Sequence, residues 1–261
     1  MTEPETSGPT LDDHRVARLL AIEAGELLVS LRVDSGLTGQ QLKDAGDLAA
    51  HELLMARLAE CRPTDPVLSE EGAAAESAAE RAHRLGSSRA WIVDPLDGTR
   101  EFSEPPRTDW AVHVALSIDG RAVCGAVALP ALGLTFGTDD PPSVTAPPPV
   151  PRVIVSRSRP PAEALALADA LGATLVEMGS AGAKVMAIVR GLADIYPHSG
   201  GQYEWDSCAP VAVALAAGLV CTRLDGSPLE YNRLDPYLPD LLIARPQHHA
   251  AALAALGVTS S

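Results

Sequence analysis

Two aspartates three residues apart, behind an apolar run and separated by a proline, are the side chains of this chain best suited to chemistry. They lie in Trp91-Ile92-Val93-Asp94-Pro95-Leu96-Asp97-Gly98-Thr99. The apolar start, with two residues branched at Cβ, reads as the end of a buried strand. In a continuing strand Asp94 and Asp97 would point to opposite faces, because side chains alternate with period two. Pro95 breaks the ladder. Both carboxylates can then converge beyond the strand end. Gly98 permits close approach of a ligand to the backbone, and Thr99 adds a hydroxyl beside the pair. Two carboxylates about 4 Å apart at an effective dielectric near 20 repel by roughly 4 kcal/mol. One must take up a proton, or a cation must sit between them. With oxygens alone on offer, and no cysteine or histidine cluster nearby, the fitting ion is hard: Mg²⁺ first, Mn²⁺ second. An Asp-Pro turn with an Asx-type cap is the ordinary alternative, and for Asp-Pro alone it would win.

Other acids stand where elements would bring them toward this pair. Val67-Leu68-Ser69-Glu70-Glu71-Gly72 reads as a short strand ending in two acids, of which only one can point directly at a shared ion. Asp47 lies near the start of a helix expected from Lys43 to Cys61, with Leu48, Met55 and Leu58 on one face. Asp206 precedes a helix expected over Ser207 to Ala217, which Gly218 stops. Its ordinary role there is an N-cap. A helix N-terminus also favours a bound phosphate, because its amides are unpaired and its dipole is positive. Pro210 is tolerable if it lies in the first turn.

Thr10 and Asp13 form an acid-ended capping box. It opens a core helix marked by Val16, Leu19, Leu20, Leu27, Leu28 and Leu31. Ala73 to Ser88 is small and polar, and reads as a mobile surface segment, helical in part. From Asp109 to Leu129, Trp110, Val112, Val114, Leu116 and Ile118 alternate with smaller or polar residues, and Asp119-Gly120 is a hairpin signal before Val123, Val127 and Leu129. His113 in that strand reads as a packed side chain rather than a ligand. Asp139 to Pro151, with six prolines, is the linker. Beyond it strands and helices alternate: Val153–Val155, Ala162–Leu171, Leu175–Val176, Ala181–Arg190 and Asp194–Tyr196. The expectation is an α+β half over 10–138 with an antiparallel sheet, a proline-rich linker over 139–151 and an α/β half over 152–261. The first half carries most of the acids, and the site lies between the two. Residues 1–9 read as a loose tail.

Asp94-Pro95-Leu96-Asp97-Gly98-Thr99 with Trp205-Asp206 resembles the two-part signature of the lithium-sensitive, Mg²⁺-dependent phosphomonoesterases, the inositol monophosphatase superfamily. Glu70-Glu71, Gly179-Ser180 and the run from Tyr196 to Asp206 extend the likeness over about residues 10–245. Within the superfamily the wording is most similar to the CysQ-type 3′-phosphoadenosine 5′-phosphate phosphatases of actinobacteria. The resemblance implies a layered αβαβα sandwich and hydrolysis with two or three Mg²⁺ ions, which Mn²⁺ can replace. By match, Glu70, Asp94 and the Leu96 carbonyl hold the first ion, and Asp94, Asp97 and Asp206 the second. Asp47 matches the acid of a peripheral third ion. There the family's Val-Thr-x-Ala-Asp places Thr where this chain has Asp44, which can simply cap the helix. Glu70 and the Thr99 hydroxyl would orient and deprotonate the attacking water, and the amides of Gly98 and Thr99 would bind phosphate oxygens. A second family glycine is lost at Gly218-Leu219, which affects a turn rather than chemistry.

The resemblance also bears on substrate. The strand wording Asp194-Ile195-Tyr196-Pro197 and Ser156-Arg157-Ser158 look like the nucleotide phosphatases. Arg157 and Arg159 could meet a second phosphate, or be ordinary exposed arginines. Gly179 and Ser180 would line the adenosine, with Lys184 adding charge. Glu204 could bind sugar or adenine, or be solvated. Expected substrates are 3′-phosphoadenosine 5′-phosphate, giving AMP and phosphate in sulfate assimilation, or its phosphosulfate analogue PAPS. The alternatives are inositol phosphate or fructose 1,6-bisphosphate. A non-enzymatic nucleotide- or metal-binding regulator is a third reading, against which the intact set Glu70, Asp94, Asp97, Thr99 and Asp206 argues.

Composition agrees with these expectations. At 261 residues the chain holds one large or two smaller cores. Apolar residues make up 46% and aromatics only 3%, so Ala, Val and Leu must build the core. A net charge of −14 repels nucleic acid and anionic lipid, and free phosphate esters too unless cations are bound locally. Cys61, Cys124, Cys208 and Cys221 show no metal or redox spacing, which suits reduced thiols in a cytoplasm. No apolar run approaches a membrane span and no signal peptide is apparent. A homodimer is one assembly open to such a chain.

Overall fold

The alternating segment forms the hairpin its turn residues call for. In the computed structural model, which describes residues 9–258, Asp119 and Gly120 both take positive φ, and Ile118 pairs with Arg121 across the turn. The tail expected over 1–9 lies outside the described residues except for Pro9.

The first half runs α1 (Leu11–Asp34), α2 (Gly39–Cys61), β1 (Val67–Ser69), α3 (Glu70–Ala73), α4 (Ala78–Gly86), β2 (Arg89–Asp97), α5 (Thr99–Phe102), β3 (Ala111–Ile118), β4 (Arg121–Leu129) and β5 (Leu134–Gly137). The second runs β6 (Arg152–Ser156), α6 (Ala162–Ala170), β7 (Thr174–Met178), α7 (Ala181–Val189), β8 (Ile195–Tyr203), α8 (Glu204–Ala216), β9 (Val220–Thr222), β10 (Tyr237–Ala244) and α9 (Pro246–Ala255). The sheets are ordered β1-β2-β3-β4-β5, parallel only at its first pair, and β7-β6-β8-β10-β9, parallel through its first three strands. Helices α1 and α2 cover one face of the first sheet, α7 and α8 lie between the sheets, and α6 and α9 cover the far face of the second. This is the expected αβαβα sandwich.

The period of two explains the layering. On β3, Val112, Val114, Leu116 and Ile118 join the core beneath α1 and α2, while Ala111 and Ala115 join the central core. Small residues on that second face let α8 come close: a Cβ on Gly125 would stand 3.2 Å from Ala209 Cα. That approach explains how a core with few aromatics fills its volume. Residues from both halves, Ile92, Val127, Ile154, Val185 and Ile243 among them, share the central core.

Several local expectations need correction. The buried stripe of α2 is Leu42, Gly46, Ala50, Leu54 and Leu58, and Leu48 faces outward at 56% exposure. That helix begins at Gly39, so Asp44 is no cap; it accepts from Gln40 Nε2 at 2.6 Å on the exposed side. Glu70 and Glu71 open a short helix rather than end a strand. The segment from 73 to 88 is helical in part, as expected: it contains α4, opened by a Ser77–Glu80 capping box and held by buried Arg84. Helix α8 starts at Glu204, which puts Pro210 in its second turn and Asp206 at its third position. Asp206 therefore caps from inside the helix, its carboxylate accepting from the Tyr203 amide at 2.7 Å.

Candidate metal centre

Asp94 pairs with His113 and Asp97 with Ala111, so β2 spends three steps where β3 spends two. The extra residue is a bulge at Pro95-Leu96. It turns an odd separation into a shared face, and both carboxylates emerge toward α7 and α8. Convergence occurs as expected, but inside the strand rather than beyond its end.

Helix α8 completes the cluster. Asp94, Asp97 and Asp206 each present an oxygen within 4.8 Å of the other two. Glu70 opens to solvent at the rim, beside Asp94. Helix α2 brings Asp47 in beside Glu71 and Thr99. Gly46 allows this, since a Cβ there would meet Phe102 Cε1 at 2.8 Å. Thr99 Oγ1 lies 3.3 Å from Asp47 Oδ1 and 3.1 Å from the Leu96 carbonyl. Gly98 takes φ +86, and even a Cβ there would stand 3.1 Å from Ser180 Cβ.

Electrostatics divide these acids. Burial, reinforced by Glu70, Asp97 and Asp206, holds Asp94 well above the usual carboxylate range. Partial desolvation at the rim and the charge of Asp206 push Glu70 up to about 8. Burial and Asp97 push Asp206 up to about 7. Burial and Glu71 push Asp47 up to about 7. Asp97 differs. Burial would raise it, but His113, Lys184 and Ser180 outweigh that and bring it down to about 2. Its Oδ1 accepts from the Ala181 amide at 3.1 Å, and its Oδ2 from the Gly182 amide at 2.7 Å and the Ser180 hydroxyl. A strained Ser180, at φ +44, forms that N-cap. The donor set is all oxygen and short of positive charge, which fits a hard divalent cation.

The residues match the inositol monophosphatase family from 14 to 259. The chain belongs to that family. Its relatives include the 3′-phosphoadenosine 5′-phosphate phosphatase of Mycobacterium bovis, 51% identical over 85% of each chain. The 3′(2′),5′-bisphosphate nucleotidase CysQ of Escherichia coli is 30% identical over 74% of this chain and 81% of its own. CysQ from Bacteroides thetaiotaomicron superposes with a TM-score of 0.75 at 26% identity, covering 90% of this chain and 97% of that one. Inositol monophosphatase family members are metal-dependent, in keeping with the aspartate cluster here.

For this family member, several side chains expected at the substrate are otherwise engaged. Glu204 is 1% exposed, and its two oxygens accept from the amides of Asn232 and Arg233 at 2.6 and 2.8 Å. Residues two apart on a helix do not share a face, so Glu204 cannot line up with Asp206. Arg157 is neither free nor fully exposed: it donates to Glu101 at 2.9 Å and Glu104 at 2.8 Å. Ser156 accepts from the Arg159 amide at 3.3 Å. Gly179 and Ser180 are buried, the first donating to Asp109 and the second to Asp97, so Ser180 braces one acid of the cluster. Lys184 is buried too, donating to the carbonyls of Gly179 and Ser180 at 3.1 and 2.6 Å.

His113 is the residue the sequence reading undervalued. Fully buried, it places Nε2 3.2 Å from Asp97 Oδ2 and Nδ1 3.0 Å from the Trp205 carbonyl, next to Asp206. Burial would lower its pKa, but Asp97 outweighs that and raises it. Its place opposite Asp94 on the neighbouring strand, on the small-residue face, was the signal. Among the described residues no helix is long and apolar enough to cross a membrane.

Proposed function

We propose that this chain is a Mg²⁺-dependent phosphomonoesterase that removes the 3′-phosphate of 3′-phosphoadenosine 5′-phosphate, giving AMP and phosphate, and so clears a by-product of sulfate assimilation. The observation that carries the reading is the bulge at Pro95-Leu96, which turns Asp94 and Asp97 onto one face opposite Asp206. The relatives named for that activity support the substrate.

In this reading Glu70, Asp94 and the Leu96 carbonyl would hold one Mg²⁺, and Asp94, Asp97 and Asp206 a second. Asp47 would serve a third. Bound there, the ions would neutralise the acids, acidify water and polarise phosphate. Glu70 and the Thr99 hydroxyl orient the attacking water, and the Glu70 carboxylate accepts its proton. The hydroxyl's contact with Asp47 fixes its direction. Amides of Gly98 and Thr99, at the opening of α5, hold phosphate oxygens. The water attacks phosphorus in line, the P–O3′ bond breaks, the leaving 3′-oxygen takes a proton from solvent water, and the proton held by Glu70 returns to solvent. Asp97 keeps its charge throughout because α7 already stabilises it. The four free cysteines fit a reducing, cytoplasmic setting.

A phosphate-release panel tests this. With Mg²⁺, kcat/KM for 3′-phosphoadenosine 5′-phosphate should exceed that for inositol phosphate and fructose 1,6-bisphosphate, and chelator or millimolar Li⁺ should suppress it. Preference for a polyol phosphate would replace the substrate assignment. No release from any of them would refute the enzyme.

A further inference from the structure

Arg84 is a charged side chain at 1% exposure that touches none of the acids of the centre. Burying a guanidinium costs several kcal/mol unless its hydrogen bonds are met. Here they are met by two separated segments. Toward its own half, Nε donates to Glu76 Oε1 at 2.7 Å and the Nη2 amine to Glu76 Oε2 at 3.1 Å, a forked pair. Toward the other half, Nη1 donates to Asn232 Oδ1 at 2.9 Å and to the Arg233 carbonyl at 3.2 Å. Asn232 Nδ2 returns a bond to the Arg84 carbonyl at 3.0 Å.

Each segment leads to an acid of the centre. Glu76 follows closely on α3, whose first residue is Glu70. Asn232 and Arg233 give their amides to Glu204, the first residue of α8, which carries Asp206 one half-turn on. Asn232 adopts φ +57 to present amide and side chain together. The chain of bonds therefore runs Glu70 segment, Glu76, Arg84, Asn232–Arg233, Glu204, Asp206 segment.

We propose that Arg84 is a positioning residue that sets the distance between Glu70 and Asp206, and with it the affinity of the centre for divalent ions. The proposal rests on the ligand set given under the proposed function. Arg84 touches neither acid; it acts through the two segments they stand on. It also gives Glu204, whose neighbour is Trp205-Asp206, a role as the far anchor of the strut. A lysine would keep the charge but lose the fork, so charge alone does not suffice.

The test measures Mn²⁺ binding by the loss of its free electron-spin-resonance signal, in wild type, Arg84→Lys, Asn232→Gly and, as control, Arg57→Met. Arg57 makes an exposed ion pair between α1 and α2, off this path. Asn232→Gly keeps the positive φ while cutting both side-chain bonds to Arg84, and so remains informative if Arg84→Lys does not fold. Expected is a roughly tenfold or greater weakening of Mn²⁺ in both strut variants and none in the control, the size seen when groups behind metal ligands are lost. The Mg²⁺ concentration for half-maximal turnover should rise likewise, while KM at saturating Mg²⁺ stays unchanged. Folded Asn232→Gly with wild-type Mn²⁺ affinity overturns the proposal, whatever its melting temperature. If wild type itself binds no Mn²⁺ and releases no phosphate, the functional reading fails instead.

Discussion

Asp94 and Asp97 sit three residues apart on one strand, yet the protein treats them in opposite ways. The wall around Asp97 supplies its own positive charge: two amides of α7, the Ser180 hydroxyl and His113. The wall around Asp94 supplies more negative charge, from Glu70, Asp97 and Asp206. One aspartate is folded into the scaffold as an anion; the other is stored under repulsion that an external cation relieves. A metal centre needs both kinds, a fixed post and a set of acids that gain from the ion.

Substitution at the two positions should separate these roles. Asp94→Asn should lower Mg²⁺-dependent turnover roughly a thousandfold, several kcal/mol of transition-state stabilisation. In chelator it should melt no lower than wild type, because a carboxyl that its surroundings hold protonated gives way to an uncharged amide of the same shape that can still accept from the Leu96 amide, and added Mg²⁺ should raise its melting temperature less than that of wild type. Asp97→Asn should do the reverse in chelator. It loses a carboxylate that anchors α7, at a cost of about 1–3 kcal/mol. A calorimetric scan of both variants with and without Mg²⁺ decides; equal destabilisation in chelator would erase the distinction.

Acidity offers a subtler probe of the same division. Glu70, Asp206 and Asp47 stand at about 8, about 7 and about 7, raised above their unfolded values near 4. Between those limits the folded state holds more protons than the unfolded one, so its stability falls as pH rises. Without divalent ions the melting temperature should therefore drop from pH 5 to pH 8. Asp97, at about 2, runs the other way: its contribution is full above pH 4 and fades only as pH falls through 2. Saturating Mg²⁺ displaces the protons and should flatten or reverse the slope. A chelated protein whose melting temperature climbs from pH 5 to pH 8 would contradict the division.

The sequence carries much of this, and its gaps have physical causes. The proline between Asp94 and Asp97 announces a break in alternation, and the bulge is that break. Period two along β3 names both of its faces, because helices cover each one. Glu204 misleads because adjacency to Trp205-Asp206 suggests a shared site, whereas helical geometry turns it elsewhere. Arg157 and Ser180 are visible as polar residues near strand ends, but not the carboxylates that engage them from 53 to 83 positions away. Arg84 has one partner within reach of local reading, Glu76 eight residues before it, but its other partners Asn232 and Arg233 lie 148 and 149 positions downstream. Strand β10 and helix α9 follow a stretch rich in proline and aspartate that offers no clean period.

The smallest expected effect concerns α2, where Asp44 and Asp47 repeat the contrast at its weakest. Asp47 meets the Thr99 hydroxyl, while Asp44 meets only the Gln40 amide on the exposed side. Asp44→Thr, which restores the family's wording, should change stability by no more than about 0.5 kcal/mol, as exposed substitutions do. Turnover and Mg²⁺ dependence should stay within twofold, roughly the same energy. Asp47→Asn should instead raise the Mg²⁺ needed for full activity, because it removes an acid that faces the centre. Steady-state Mg²⁺ titrations of the two variants check this. A larger effect from Asp44 than from Asp47 would mean that the helix presents its other face to the substrate.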